Sequence, residues 1–164
     1  MPQSNVVSGS DATISLSVEQ GVEGDAAKRI IDEYSLTPVG RAVNVEIHVS
    51  SELKPLHEQG QQYPTEIRSG NVTVSGTIGR AYINGALLKL MLGDAATSRP
   101  AGVWVQPSFN ITMRLANPAV PGKAKILTLH GVKFRNWSLV VPEDNFVMEK
   151  AEFVALRISV ADEK

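Results

Sequence analysis

Strict alternation of apolar and polar residues is the feature that most constrains the fold of this chain. The longest case is VWVQPSFNITMRL, whose apolar positions are Val103, Val105, Phe109, Ile111, Met113 and Leu115. RAVNVEIHVS (residues 41–50) and NVTVSGTI (residues 71–78) repeat the pattern. A period of two predicts strands with one buried face, which are typical of antiparallel sheets. Because proline cannot donate to a strand ladder, Pro107 predicts a break or bend in the longest segment.

Two further segments have the spacing of helices. In GDAAKRIIDEYSL (residues 24–36) apolar residues recur three and four positions apart, with Asp25 as the candidate N-cap. In RAYINGALLKLMLGD (residues 80–94) an apolar stripe predicts a helix that begins near Gly85 or Ala86 and ends at Gly93. The second pattern is the stronger. The sequence therefore predicts a mainly β fold, an antiparallel sandwich or barrel, with one flanking α-helix.

The connection between two early strands is unusually long. It runs from Ser50 to Gly70, SSELKPLHEQGQQYPTEIRSG. A hairpin needs a connection of about two to five residues, and loops longer than about 12 to 15 residues are usually functional or disordered. We predict a functional long loop here.

Reactive groups are few and scattered in the sequence. The chain contains no cysteine, which excludes disulfides, thiolate zinc ligands and a cysteine nucleophile. Its histidines, His48, His57 and His130, share no spacing typical of metal ligands. The adjacent carboxylates Glu143 and Asp144 lie in a proline-containing turn, and paired acid/base groups normally come from separate strands. We expect no catalytic residue, no metal and no cofactor, and we do not expect an enzyme.

The charge balance gives no indication of a nucleic-acid or membrane-surface binder. Sixteen basic and 17 acidic residues leave a formal charge of −1, and aromatic residues make up 5% of the chain. Domains that bind nucleic acid are usually strongly basic. No apolar run approaches the roughly 20 residues that span a bilayer. We expect no membrane partner.

The last third of the chain has apolar residues on both strand faces. From Phe146 to Val160 the apolar positions change from even to odd numbers and back. One inserted residue reverses every later side chain, so we predict either a bulge at Lys150 to Val154 or a strand covered by a neighbouring subunit. The predicted subunit-interface residues are Met148, Ala151 and Phe153.

Two segments together resemble the tail tube proteins of long-tailed bacteriophages, contractile or non-contractile. These are SGNVTVSGTIGRAYINGALLKLMLGD, a strand running into a helix, and LTLHGVKFRNWSLVVPEDNFVMEKAEFVALRISVAD, a closing series of strands with an acidic turn. The resemblance is one of pattern and covers about Arg41 to Asp162. It implies a single tail-tube domain over residues 1–164, with residues 1–40 as an N-terminal arm or extension and residues 41–162 as the β core.

The resemblance implies a structural virion protein that forms stacked hexameric rings. The rings make a tube that serves as the conduit for genome delivery, and the long loop reaches the adjacent ring. The ring-stacking residues expected in this loop are Glu52, Lys54, His57, Glu58, Gln61 and Tyr63. A lumen wall should bind phosphates weakly, because each neutralising Lys or Arg strengthens binding. The predicted lumen-lining residues, which include no Lys or Arg, are Asn44, Glu46, His48, Asn71, Thr73, Ser75 and Thr77.

The implied partners are further copies of the chain, with a tape-measure protein and genomic DNA that pass through the lumen without sequence-specific binding. A tail sheath and baseplate or terminator proteins are further implied partners, and the implied location is the virion tail after assembly in the host cytoplasm. Another tail protein of the same fold, such as a tube initiator, completion or adaptor protein, is an open alternative. A ligand-binding β-barrel or lectin-like module is disfavoured by the low aromatic content. A small hydrolase or isomerase is disfavoured by the absent nucleophile.

Overall fold

The computed structural model describes residues 12–36, 42–120 and 122–162. Within these residues seven strands and two α-helices follow one another as β1 (Ala12–Ser17), α1 (Val22–Tyr34), β2 (Ala42–Leu56), β3 (Glu66–Ala81), α2 (Ala86–Leu92), β4 (Phe109–Leu115), β5 (Lys125–Val140), β6 (Met148–Ala155) and β7 (Arg157–Asp162). The prediction of a mainly β, antiparallel fold is confirmed. Both segments with helical spacing form α-helices, whereas the predicted fold had one flanking helix.

One antiparallel sheet carries the fold, in the strand order β1-β4-β5-β6-β3-β2. β7 lies outside this order and pairs with the first half of β5. Because β4 pairs with the same residues of β5, β7 lies along the other edge of that strand. The sheet curls into a half-barrel. Its inner side chains form one core together with residues of both helices.

Residues 12–36 belong to this core. β1 pairs with β4 over its whole length, from Ala12↔Leu115 to Ser17↔Asn110. From β1, Ile14 and Leu16 are buried in the core, and α1 contributes Ala27, Ile30 and Ile31. The predicted boundary that made residues 1–40 an arm or extension is therefore wrong for these residues. Residues 1–11 and 37–40 of that prediction lie outside the described residues.

The helix ends follow local chemistry, with one difference from prediction. α1 is capped by Gly21, and Asp25 lies in its first turn, where a carboxylate favours the positive end of the helix dipole. The predicted Asp25 cap is therefore wrong. α2 begins at Ala86, whose backbone N–H donates to Asn84 Oδ1 at 3.1 Å, and it ends at Gly93 with φ 60°. Both predicted ends of α2 are confirmed.

A lysine links the two helices at the surface. Lys89 Nζ of α2 lies 5.1 Å from the ring centroid of Tyr34 and 3.4 Å from Glu33 Oε1, both on α1. Hydrogen bonding with Tyr34, followed by the charge of Glu33, raises the pKa of Lys89.

The predicted break at Pro107 is confirmed. β4 begins only at Phe109, and residues 103–107 form no strand. The segment is held by a side chain instead, because Gln106 Nε2 donates to the Phe134 carbonyl oxygen at 2.7 Å. Pro107 interrupts the alternating segment, so only the residues from Phe109 onward form β4.

The change of face near the C-terminus occurs at a different residue from the one predicted. β6 pairs with β3 without a register shift and its odd-numbered residues face the core, so the predicted bulge at Lys150 to Val154 does not insert a residue in β6. The β5–β6 ladder shifts register at this level, between Phe134 and Asn136 of β5, and leaves the alternation of β6 unchanged. The change occurs at Leu156, opposite Gly131 of β5, which has φ 65°. A Cβ on Gly131 would lie 2.5 Å from a methyl carbon of Leu156. Both strands change face at Gly131 and Leu156, and we call this point the crease. The pairing register of β5 with β6 and β7 therefore continues past the crease.

Candidate functional site

One face of the sheet is polar across β2, β3, β6 and β5, and we call it the polar face. Residues paired directly across an antiparallel sheet point to the same side, so the register arranges its side chains in rows. The rows are Asn44, Gly79, Lys150 and Ser138; Glu46, Thr77, Glu152 and Asn136; His48, Ser75, Val154 and Lys133; and Ser50 and Thr73. The opposite face of these strands carries core residues such as Val74 and Ile78.

The structure brings most of the predicted lumen-lining residues together. Those on the polar face are Asn44, Glu46, His48, Thr73, Ser75 and Thr77. Asn71 belongs to no row, because the register of β2 and β3 shifts between Ser51 and Leu53. The gathered residues form one surface that the core of the subunit does not cover.

The continuation of the polar face onto β6 and β5 adds charges that the sequence reasoning missed. Lys150 is exposed in the row of Asn44, Glu152 lies in the row of Glu46, and Lys133 lies in the row of His48. Arg135 Nε of β5 lies 3.7 Å from Glu152 Oε2. The alternation in MEKAEFVA marks these positions as outward, but the sequence does not show that β6 pairs with β3. The full polar face therefore carries both signs of charge.

The predicted long loop is mostly a two-stranded ribbon, and we call residues 50–70 the hairpin arm. β2 continues to Leu56 and β3 starts at Glu66, with the pairs Lys54↔Arg68 and Leu56↔Glu66, so the predicted boundaries of the loop are wrong. Only residues 57–65 form the tip. Every residue from 48 to 73 is exposed. The polar composition of the arm concealed its strands, because neither face is buried and no alternation is imposed.

The residues predicted to stack rings are spread along the arm. Glu52 and Lys54 lie on β2, whereas the tip carries His57, Glu58, Gln61 and Tyr63. Large apolar side chains on the arm are exposed as well: Leu53, Leu56, Tyr63 and Ile67. Exposed apolar patches of this kind mark interaction sites.

The predicted subunit-interface set is mostly inside the subunit. Ala151 and Phe153 are 0% exposed and belong to the core of the chain itself. Their side chains therefore have no surface to offer a second copy, and the prediction fails for them. Met148 is half-buried in the row of Ala81 and Val140, at the end of the sheet.

A buried charged network lies at the end of β3 and was not foreseen. Arg80 and Glu149, 1% and 2% exposed, are cross-strand partners whose side chains form an ion pair. Trp137 Nε1 donates to Glu149 Oε2 at 2.9 Å, and Arg80 Nη2 donates to Asn84 Oδ1 at 3.2 Å. The network fixes the chain between β3 and α2. The alternation of β3 could have revealed it, since Arg80 follows Val74 and Ile78 on the inward side.

The histidines do not converge in the structure. His48 lies on the polar face beside Glu46 at 3.6 Å, and His57 lies in the arm. His130 Nε2 is 3.0 Å from Ser159 Oγ, on another part of the sheet. Within the described ranges no group of three or more His, Asp or Glu side chains is arranged to hold a metal. Neither described helix is long and apolar enough to cross a membrane.

No protein-family model and no curated protein matches the sequence. Solved structures match the fold over nearly the whole chain. A chain of the sheath–tube complex of PVC, an extracellular contractile injection system, is 9% identical with a TM-score of 0.65, covering 96% of this chain and 93% of that one. A chain of the tube-terminating cap of the anti-feeding prophage is 8% identical with a TM-score of 0.67, covering 99% and 95%.

The SPP1 tail tube is a third similar structure. It is 8% identical with a TM-score of 0.58, and the match covers 96% of this chain and 80% of that one. The chain therefore has the fold of tail tube-type proteins. The resemblance noted in the sequence is confirmed at the level of the fold.

Proposed function

We propose that this protein is a structural subunit of a tail tube, in which six copies form a ring and stacked rings form a conduit for genome delivery. The shared fold with tube and cap proteins supports a structural role without catalysis. The hairpin arm is the observation that carries the proposal. A two-stranded ribbon is marginally stable alone in water, so an arm with exposed Leu53, Tyr63 and Ile67 is best explained by contact with another copy.

Open strand edges support ring formation. Among the described strands, none pairs with the outer edge of β2, and β5 beyond Val132 pairs with β6 alone. Unpaired edges invite another strand, and a head-to-tail contact closes into a ring when its rotation divides the circle. In the ring, Met148 is the member of the predicted interface set with side-chain surface available to a neighbour.

The polar face lines the lumen in this proposal. Its neutral residues and mixed charges suit the passage of a tape-measure protein and DNA, since they provide no continuous basic track for phosphates. A sheath, baseplate or terminator binds elsewhere on the tube, and the assembled protein is located in the virion tail after assembly in the host cytoplasm.

The test is electron microscopy of the purified protein and of a variant without the arm. Ser51 and Val72 are paired residues, so joining them through an Asn-Gly turn removes residues 52–71 and leaves a short hairpin. We expect rings and tubes from the wild type, and a variant with an unchanged melting temperature that forms no tubes. Tubes formed normally by the variant would contradict the stacking role. A wild-type protein that stays monomeric at high concentration would contradict the tube.

A terminator, initiator or adaptor of the same fold is the second candidate. The likeness to the anti-feeding prophage cap, with a TM-score of 0.67, favours it to the same degree as the likeness to the tube. Such a protein would form single rings that do not extend. Particle length in the same micrographs therefore separates the two candidates.

A further inference from the structure

A second exposed apolar surface lies at the end of the sheet opposite the arm. β3 and β5 end there in one row, Ala81, Met148 and Val140. The Tyr82 N–H donates to the Val147 carbonyl oxygen at 2.9 Å and holds the two connections side by side. Large apolar side chains are exposed at the end of β5 and on these connections, and we call them the end patch: Tyr82, Ile83, Val140, Val141 and Phe146.

The strand directions place the end patch and the hairpin arm far apart. β3 runs from Glu66 in the arm to Ala81 beside the end patch. At about 3.3 Å per residue these ends are roughly 50 Å apart. Two different apolar surfaces at opposite ends of one subunit cannot satisfy each other within that subunit. Between copies, two such surfaces can form a head-to-tail contact, which builds an open stack when its rotation does not close into a ring.

Charges of opposite sign that have no ion-pair partner in the described part of the subunit lie beside the two surfaces, and the arm also carries the exposed carboxylates Glu52 and Glu58. Glu143 and Asp144 are exposed in the turn of the end patch, and Lys54 is exposed on the arm. In the described part of the chain none of these three forms an ion pair, whereas the other basic residue of the arm, Arg68, already pairs with Glu66 at 2.9 Å. Opposite charges across an interface fix its register and suppress wrong partners.

We propose that the end patch is the surface on which the hairpin arm of a copy in the adjacent ring docks. The inference rests on the proposed tube and specifies its axial contact. Tyr63 and the apolar side chains of the arm cover Phe146, Val140 and Val141, while Lys54 lies against Glu143 and Asp144. The occupant of the end patch is thus a second copy of this chain.

Cysteine cross-linking tests this contact directly, because the wild-type chain contains no cysteine. Chains carrying Tyr63→Cys are mixed with chains carrying Phe146→Cys, assembled and oxidised. We expect a disulfide-linked dimer from this mixture. The matched control pairs Tyr63→Cys with Lys123→Cys, which is exposed before the start of β5, at the end of that strand away from Val140. We expect no dimer from the control.

A charge exchange gives an independent readout. Lys54→Glu should prevent tube growth, and Glu143→Lys with Asp144→Lys in the same chain should restore it. All three side chains are exposed, so the folded subunit should survive. Tubes in which Tyr63 cross-links to Lys123→Cys but not to Phe146→Cys, or in which the exchange does not restore growth, would overturn the docking site and leave the tube proposal intact. A wild-type chain without rings or tubes would contradict both.

Discussion

The two halves of β3 belong to one strand but depend on different stabilising contacts. From Val74 to Ala81 the strand lies between β2 and β6 and buries every second residue. From Glu66 to Thr73 it pairs with β2 alone and every residue is exposed. The half from Val74 to Ala81, the inner half, is stabilised by the subunit core. The half from Glu66 to Thr73, the outer half, retains its strand geometry without a core. Its large apolar residues are therefore available for contacts between copies.

The crease at Leu156 determines where the two halves of β3 separate. β6 leaves β3 at the pair Val74↔Ala155, directly before the crease, and β7 continues along β5. The outer half of β3 therefore lacks a partner on that edge. The arm is free to contact another copy because β7, the last strand, pairs with β5 and leaves the outer half of β3 uncovered.

The largest effect is expected from breaking the network at the inner half of β3. Glu149→Ala leaves Arg80 buried without its counter-charge and Trp137 Nε1 without its acceptor. Removing one partner of a buried ion pair typically costs about 3–5 kcal/mol. Chemical denaturation measures the loss in the free energy of unfolding. The control is Glu152→Ala, whose half-exposed pair with Arg135 should contribute less than about 1 kcal/mol. Equal effects of the two variants would refute the structural role of the network.

An intermediate effect is expected at the crease. Gly131→Ala places a side chain at φ 65°, which costs roughly 1–2 kcal/mol, and its Cβ also collides with Leu156. Gly122→Ala isolates the backbone part, because Gly122 has φ 80° and open space around its missing Cβ. We expect Gly131→Ala to lower the free energy of unfolding more than Gly122→Ala does. Adding Leu156→Ala to Gly131→Ala should recover this difference in the free energy of unfolding. A double-mutant cycle that finds no coupling between positions 131 and 156 would contradict their contact at the crease.

The smallest effect on the isolated subunit is expected in the arm. Ile67→Ser changes a side chain that is 59% exposed, so the free energy of unfolding should stay within about 0.5 kcal/mol of the wild type. Its effect should appear in assembly, as fewer or shorter tubes in electron micrographs. Ile78→Ser is the matched control on the same strand, because Ile78 is 1% exposed and the change should destabilise the fold. Wild-type tube growth by Ile67→Ser would show that this residue makes no contact between copies.

Local chemistry in the sequence determined much of this fold. Alternation identified the strands and their inward faces, because a sheet with one buried face imposes a period of two on its residues. Gly93 ended α2 and Pro107 delayed β4, since both act through their own backbone geometry. The polar residues of β2 and β3 were placed on one surface for the same reason.

Only the tertiary structure decided which surfaces meet. Arg80 is stable in the core because Glu149, 69 positions away, lies opposite it, and no local pattern records that distance. The face change at Leu156 is accommodated by Gly131 on another strand, and β1 joins the core through β4. The arm escaped detection as a strand because burial imposes the alternation that reveals strands, and the arm has no buried face within its own subunit.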